Sequence, residues 1–102
     1  MREITAEQLL EITEIVYEYF EDESEVERDE ISDDTNIITE LEGDSLMLLS
    51  LLEIFRKKYE LTIELKTLGK YLMKRPAETV GQVIELSSNI LKYGDDIVNA
   101  EI

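Results

Sequence analysis

Residues 31–46 have the sequence ISDDTNIITELEGDSL, which runs from an acidic segment into the start of an apolar helix. Gly43 supplies a flexible turn and Asp44 a candidate N-cap, because a carboxylate there can accept hydrogen bonds from the first N–H groups of a helix. The apolar residues that follow recur at helical spacing: Leu46, Leu49, Leu52, Phe55 and Tyr59. Three basic residues at 56–58 suit the negative end of a helix dipole. This stretch predicts a helix that begins after Asp44 and ends after the basic residues.

An earlier helix precedes the acidic segment. Thr5 and Gln8 form a capping box, and the spacing predicts a helix over roughly residues 5–20 with a buried face of Leu9, Ile12, Val16, Tyr19 and Phe20. Nine acids crowd residues 21–34, with only Val26 and Ile31 as apolar anchors. Because no face of that segment can be buried, we expect a long solvated loop that regains contact with the core at Ile37, Ile38 and Leu41.

Two further helices follow the basic end of the second. Leu65, Leu68 and Leu72 predict a short third helix that Pro76 must follow, since proline does not enter a helix interior. Thr79 and Gln82 form another capping box, and Gly94 ends a last helix with a buried face of Val80, Val83, Ile84, Ser87, Ile90 and Leu91. No alternating strand pattern is visible. We expect an all-α, four-helix bundle over residues 1–93, with a long acidic first loop, a short third helix and a C-terminal tail over 94–102.

Composition excludes most catalytic chemistries. The 102 residues make one small domain, and the chain has no Cys, His or Trp, which excludes disulfides, thiolate nucleophiles, Cys/His zinc sites and imidazole bases. The acidic loop fails the calcium-loop pattern of EF-hands, because Ile31 stands at the third position and Asp34 at the turn position that requires glycine. We predict no metal ligands, and the loop is either simply solvated or a loose surface site for divalent cations.

Charge is distributed very unevenly. Residues 1–44 carry 17 acids and two bases, residues 45–102 carry eight of each, and the formal net charge is -15. Phosphates would be repelled, so we expect no nucleic-acid partner and instead partners with basic surfaces. The longest uncharged apolar run, residues 46–52, is far too short for a membrane span, and the chain start lacks a secretory pattern. These features favour a cytoplasmic, bacterial-type protein without membrane insertion, and a monomer.

Ser45 stands where the acidic loop meets the second helix. Backbone N–H groups point outward at a helix start and the dipole favours an anion, so a phosphodiester attached to Ser45 would be stabilised. The alternative is that Asp44 or Ser45 merely caps the helix, which is common.

The stretch 31–46 resembles the loop and attachment site of acyl carrier proteins, and the similarity extends over residues 4–92. Its sharpest part consists of Asp34, Thr35, Leu41, Asp44, Ser45 and Leu46. The resemblance implies that a phosphopantetheinyl transferase attaches 4′-phosphopantetheine from coenzyme A to Ser45, and that the terminal thiol carries an acyl chain as a thioester. It also implies that the chain is not an enzyme but a substrate of that transferase and of acyl-transfer and condensing enzymes.

The chain departs from the family pattern at three places, one of which is the segment between Ile63 and Thr79, longer than usual and rich in basic residues. Members usually have glycine two residues before the aspartate, where this chain has Glu42 and then Gly43, a spacing that is also similar to some peptidyl carriers. The second helix of fatty-acid carriers is lined with acids, whereas the matching helix here is apolar and then basic. By resemblance, the residues expected to recognise partners are Asp44, Leu46, Met47, Glu53 and Arg56, with Leu46 and Met47 exposed. Those expected to shelter the acyl chain are Leu65, Leu68 and Leu72.

Three hypotheses remain open. The first is an acyl carrier protein for fatty-acid, polyketide or related lipid biosynthesis. The second is a peptidyl or aminoacyl carrier protein. The third is an unmodified acidic helical adaptor that binds a basic protein, in which Asp44 and Ser45 are only a cap. A catalytic role ranks below these, because no pair of carboxylates is expected on an apolar surface that would shift its pKa.

Overall fold

A computed structural model describes residues 3–74 and 76–94, with Ser45 described by its backbone alone. Its four helices are α1 (Ala6–Ser24), α2 (Ser45–Lys58), α3 (Leu65–Lys74) and α4 (Val80–Tyr93), and a 3₁₀ turn lies at Arg28–Glu30. Within the described ranges, an isolated bridge between Asn36 and Thr79 takes the place of any strand. The prediction of an all-α bundle with a short third helix is therefore confirmed. None of the described helices is long and apolar enough to cross a membrane.

The first helix extends past its predicted end. Thr5 forms the capping box with Gln8 as expected, but α1 continues to Ser24 and ends at Glu25, which adopts a left-handed conformation with φ of 60°. The extra turn needs no buried face of its own, because glutamate has good helix propensity and its side chains remain in water. Ile12, Val16 and Phe20 form the buried face, whereas Leu9 is 45% exposed and its predicted burial was wrong.

The second helix buries part of the predicted stripe. Leu52 and Phe55 are buried as predicted, whereas Leu49 and Tyr59 are half-buried, and the structure adds Leu48 and Leu51 to the core. Leu46 is 73% exposed, as expected for a recognition residue, and Met47 is half-buried rather than exposed. Six of the seven residues from 46 to 52 are apolar, so their spacing alone cannot decide which face turns inward. The predicted end of the helix at the basic residues is correct.

The last two helices end where the sequence predicted. Pro76 comes after α3, and Gly94 ends α4 with φ of 56° while its N–H donates to the carbonyl of Ile90. In α4 the prediction missed Leu86, which is buried, and placed Ile84 in the core although it is half-buried. The predicted tail beyond Gly94 lies outside the described residues.

The segment between α1 and α2, residues 25–44 (loop 1), is mostly exposed up to residue 34, as predicted, and is joined to the rest of the chain by a few buried side chains and backbone hydrogen bonds. Ile31, Ile37 and Leu41 are buried, whereas Ile38 is exposed, against the prediction. The loop backbone is hydrogen-bonded to the start of α4: the N–H groups of Val80 and Gly81 donate to loop carbonyls at 3.1 and 2.9 Å, and the N–H of residue 37 donates to the carbonyl of residue 78 at 2.8 Å. These bonds bring the middle of loop 1 against the segment that joins α3 and α4.

A tyrosine–carboxylate pair joins α1 to loop 1. The hydroxyl of Tyr17 donates to Oδ1 of Asp33 at 2.5 Å, and Arg28 lies over the Tyr17 ring at 5.4 Å while pairing with Glu14 at 2.6 Å. Burial, followed by the hydrogen bond and the negative charge of Asp33, raises the pKa of Tyr17 to about 12. The folded protein therefore favours the neutral phenol.

This pair predicts an alkaline loss of stability that depends on Tyr17. The Tyr17 pKa is about 12 in the folded state and 10 for a model tyrosine, so its contribution is complete below pH 10 and is lost as the pH rises towards 12. In urea denaturation from pH 8 to 12, we expect the unfolding free energy of the native chain to fall more steeply than that of Tyr17→Phe. Parallel curves would contradict the assignment.

Candidate functional site

The start of α2 is built around Asp44. Its Oδ1 accepts a hydrogen bond from the Met47 N–H at 2.9 Å, and its carbonyl accepts one from the Leu48 N–H at 3.2 Å, so Asp44 is the N-cap. Ser45 is the first residue of the helix. The side chain of Asp44 therefore caps the helix, and the cap does not require Ser45.

The backbone at this helix end suits an attached anion. The first N–H groups of a helix have no intrahelical partner, and the positive end of the dipole lies there. Asp44 satisfies the N–H of Met47, which leaves the N–H groups of the first two helical positions to water or to an anion held at Ser45. A phosphodiester fits this donor set.

Gly43 is required by a close approach within loop 1. Its N–H donates to the carbonyl of Ile37 at 2.8 Å. A Cβ built on Gly43 would lie 2.5 Å from Cγ2 of Ile37, 2.9 Å from Sδ of Met47 and 3.2 Å from the Ile37 carbonyl oxygen. Only glycine lets the loop turn back this closely before the helix begins.

Glu42 occupies a left-handed conformation directly before this turn, with φ of 54°. Residues other than glycine are disfavoured in that region by contact between Cβ and the backbone. The unusual order of the two residues thus has a conformational cost, because the glycine stands at the crowded position and a glutamate at the left-handed one.

We expect Glu42→Gly to stabilise the protein. Relief of the left-handed strain exceeds the extra freedom that glycine gives the unfolded chain, for a net gain of about 0.5–1 kcal/mol. Glu27→Gly is the matched control, since Glu27 lies in the same loop with φ of -68° and the same charge is lost. The control should be neutral or destabilising in chemical denaturation. Equal effects of the two substitutions would show that charge removal, not backbone strain, is responsible.

Tyr19 holds the first turn of α2 against α1. Its hydroxyl donates to the carbonyl oxygen of Met47 at 2.8 Å, across 28 residues of chain. Burial, followed by the negative charge of Glu23, raises the pKa of Tyr19 and favours the neutral donor. The sequence placed Tyr19 on the core face of α1 but carried no signal for this bond, since hydroxyl partners far along the chain depend on packing.

A cavity of about 350 Å³ opens beside the start of α2. Its lining comes from loop 1, α2, α3 and the segment after α3: Ile37, Ile38, Gly43, Asp44, Leu48, Leu72, Pro76, Ala77 and Glu78. Of the three leucines expected to shelter an acyl chain, Leu72 lines this cavity, Leu68 is fully buried, and Leu65 is 44% exposed. The sequence pattern did not indicate that Ile37, Ile38 and Ala77 would line a cavity. These residues come together only when loop 1 packs against the α3–α4 connection.

A second depression lies on the α1 side of the same helix end. It is lined by Tyr19, Glu23, Glu42, Asp44, Leu46, Met47, Ser50 and Ile54. Leu46 and Ile54 are exposed and Met47 is half-buried. Three of the predicted recognition residues, Asp44, Leu46 and Met47, therefore lie together on a surface that combines apolar and acidic side chains.

The other two predicted recognition residues are bound to each other. Nη1 of Arg56 lies 2.9 Å from Oε1 of Glu53, and Nε of Arg56 donates to the carbonyl of Ile63 at 2.6 Å. Lys57 lies 3.9 Å from the same Glu53 oxygen, and Lys58 lies 3.8 Å from Glu11 of α1. The basic end of α2 thus makes ion pairs within the chain and fixes the connection to α3.

Among the residues that the structure describes, no group of three acids is placed to hold a metal ion.

Comparison with known proteins agrees with this geometry. A family model described as a phosphopantetheine attachment site matches residues 14–87, a range that runs from within α1 into α4 and includes Ser45. The acyl carrier protein homolog of Clostridium acetobutylicum is 46% identical over 99 residues, which cover 97% of this chain and 96% of that protein.

Proposed function

Because the chain belongs to the acyl carrier protein family of phosphopantetheine-binding proteins, we propose that Ser45 is its attachment residue and that it carries acyl groups between enzymes. The observation that supports this most directly is the position of Ser45 as the first residue of α2, next to a separate N-cap and a cavity. The chain is a carrier protein, and its work is to present a cargo rather than to catalyse a reaction.

The proposed modification is a single phosphoryl transfer. The Ser45 hydroxyl attacks the phosphorus of coenzyme A that bears the pantetheine, a new P–O bond forms at Oγ, and the pyrophosphate bond breaks to release adenosine 3′,5′-bisphosphate. The hydroxyl proton passes to a base of the phosphopantetheinyl transferase, which also supplies the metal ion. Once attached, the group supplies a terminal thiol that holds the acyl chain as a thioester. Helix α2 contributes a rigid platform and the positive end of its dipole.

The character of the cavity favours an acyl cargo over an aminoacyl one. Ile37, Leu48 and Leu72 line it and are buried in the protein. Transfer of an aliphatic chain from water to this apolar lining is therefore favourable. An aminoacyl group carries an ammonium, and moving that charge against apolar side chains is unfavourable. We therefore rank a peptidyl or aminoacyl carrier second. The proposal therefore covers an acyl carrier for fatty-acid, polyketide or related lipid biosynthesis.

Partner enzymes should dock mainly on the depression between α1 and α2. Leu46 supplies an exposed apolar contact, and Glu42 and Asp44 supply negative charge. The transferase and the acyl-transfer and condensing enzymes would then present an apolar side chain flanked by basic residues. Glu53 and Arg56 form an ion pair with each other, so we expect each of them to contribute less to docking. A cytoplasmic location and a monomeric state remain our expectations.

The proposal is tested by mass spectrometry of the intact protein. Incubation with a promiscuous phosphopantetheinyl transferase and coenzyme A should add one phosphopantetheine to the chain. The adaptor hypothesis instead predicts an unchanged mass both in vitro and in protein isolated from its native cell, and that result would refute the carrier assignment.

A further inference from the structure

Two cavities lie on either side of the short segment between α3 and α4. The first is the cavity of about 350 Å³ beside the start of α2, and the second, of about 120 Å³, lies between α3 and α4 and is lined by Tyr71 and Leu86 among others. Pro76 and Ala77 line both. These two residues therefore form a wall that the two cavities share.

We propose that the side chain of Ala77 sets the length of the acyl group that the first cavity can shelter. This inference rests on the proposed function, because it takes Ser45 as the point from which the chain enters. Ala77 is 6% exposed, and its methyl group is the smallest side chain in the lining other than Gly43. A larger residue there would take up space in the cavity.

The wall is anchored well enough to act as a stop. The carbonyl of Glu78 accepts a hydrogen bond from the N–H of Ile37 at 2.8 Å, and Thr79 is bridged to Asn36. Pro76 restricts the backbone before Ala77 through its fixed φ. Loop 1 thus holds the segment that carries the wall.

The cavity volume gives an approximate length limit. An apolar cavity of about 150 Å³ accommodates benzene, with its six carbons. On that scale the cavity of about 350 Å³ has room for about fourteen carbons, and further carbons would extend into water. Leucine in place of Ala77 adds three carbons to the wall and should shorten the sheltered length by about three carbons.

The experiment uses the full chain loaded with a series of straight acyl groups. A promiscuous phosphopantetheinyl transferase and even-numbered acyl-coenzyme A thioesters, from hexanoyl to icosanoyl, are used to load the native chain, Ala77→Leu and Ala77→Val. Ala6→Leu is the matched control, since Ala6 is exposed at the start of α1. The melting temperature and the rate of thioester cleavage by hydroxylamine are measured for each length.

For the native chain we expect the melting temperature to rise, and the cleavage rate to fall, up to about fourteen carbons and then to level off. In Ala77→Leu the plateau should begin about three carbons earlier, and in Ala77→Val about two carbons earlier, while Ala6→Leu follows the native chain. If Ala77→Leu does not fold, Ala77→Val decides the question.

A plateau at the same length in the folded Ala77 variants and the native chain would overturn the inference, as would the absence of any length dependence. Coenzyme A itself is the control for the underlying function. Failure to add phosphopantetheine to the native chain would refute the carrier assignment, whereas normal addition with an unmoved plateau would refute only the role of Ala77.

Discussion

Replacing Ser45 by alanine should abolish phosphopantetheine attachment completely. The new bond is made by the side-chain oxygen, and alanine has none, so no mass increase is expected after incubation with transferase and coenzyme A. Ser88→Ala is the matched control, because Ser88 lies on α4, outside the depression proposed for docking, and its hydroxyl donates to the carbonyl of Ile84 within its own helix at 2.9 Å. That variant should gain one phosphopantetheine, as the native chain does.

The loss of modification in Ser45→Ala should occur without loss of the fold. Asp44, not Ser45, makes the side-chain cap of α2, so removing the Ser45 hydroxyl should change the unfolding free energy by no more than about 0.5 kcal/mol. Thermal denaturation of the unmodified proteins tests this directly. A modified Ser45→Ala would place the attachment elsewhere, and an unfolded Ser45→Ala would mean that the serine has a structural role that the cap geometry does not predict.

The second large effect is expected at Gly43. Alanine would place a Cβ 2.5 Å from Cγ2 of Ile37, whose branched side chain is 1% exposed and has little freedom to move. The backbone carbonyl of Ile37 lies 3.2 Å from the same position, so rotation of the side chain does not remove the conflict. We expect Gly43→Ala to destabilise the protein by about 1–3 kcal/mol, as overpacking does elsewhere.

Gly69→Ala is the matched control, with the opposite expected sign. A Cβ on Gly69, within α3, meets nothing within 4 Å. Alanine has the higher helix propensity, so Gly69→Ala should stabilise the protein by up to about 1 kcal/mol. Urea denaturation of both variants measures the difference. Similar changes in the two variants would show that the approach of Gly43 to Ile37 is not tight in solution.

Local signals in the sequence were reliable where the interactions span a few residues. The structure confirms the capping boxes at Thr5 and Thr79, the end of α4 at Gly94 and the position of Pro76 after α3. Each of these features depends on residues within about one helical turn. The inward face of α2 was not predictable in the same way, because apolar residues stand on both possible faces near its start. The exposure of Ile38 beside a buried Ile37 has a similar origin, since either isoleucine could have met the core.

In the candidate site, too, the features set by neighbouring residues were predictable and those set by packing were not. The position of Ser45 at a helix start follows from neighbouring residues, and Asp44 provides the cap that the pattern indicated. The cavity beside it combines residues from 37 to 78, and the predicted leucines of α3 contribute only Leu72 to it. The roles of Gly43 and Tyr19 likewise depend on contacts with Ile37 and Met47 that propensities and spacing do not encode.

By itself, the sequence determined that this protein is a small acidic helical domain, with four helices, their caps and a serine at the entry of the second. These properties depend on composition and on hydrogen bonds between residues at most four positions apart. Only the tertiary structure decided which face of α2 is buried, how loop 1 is bound to the start of α4, and where a cavity forms beside Ser45. Those features arise from the packing of segments distant in the chain, where a contact exists only once every neighbouring element is in place.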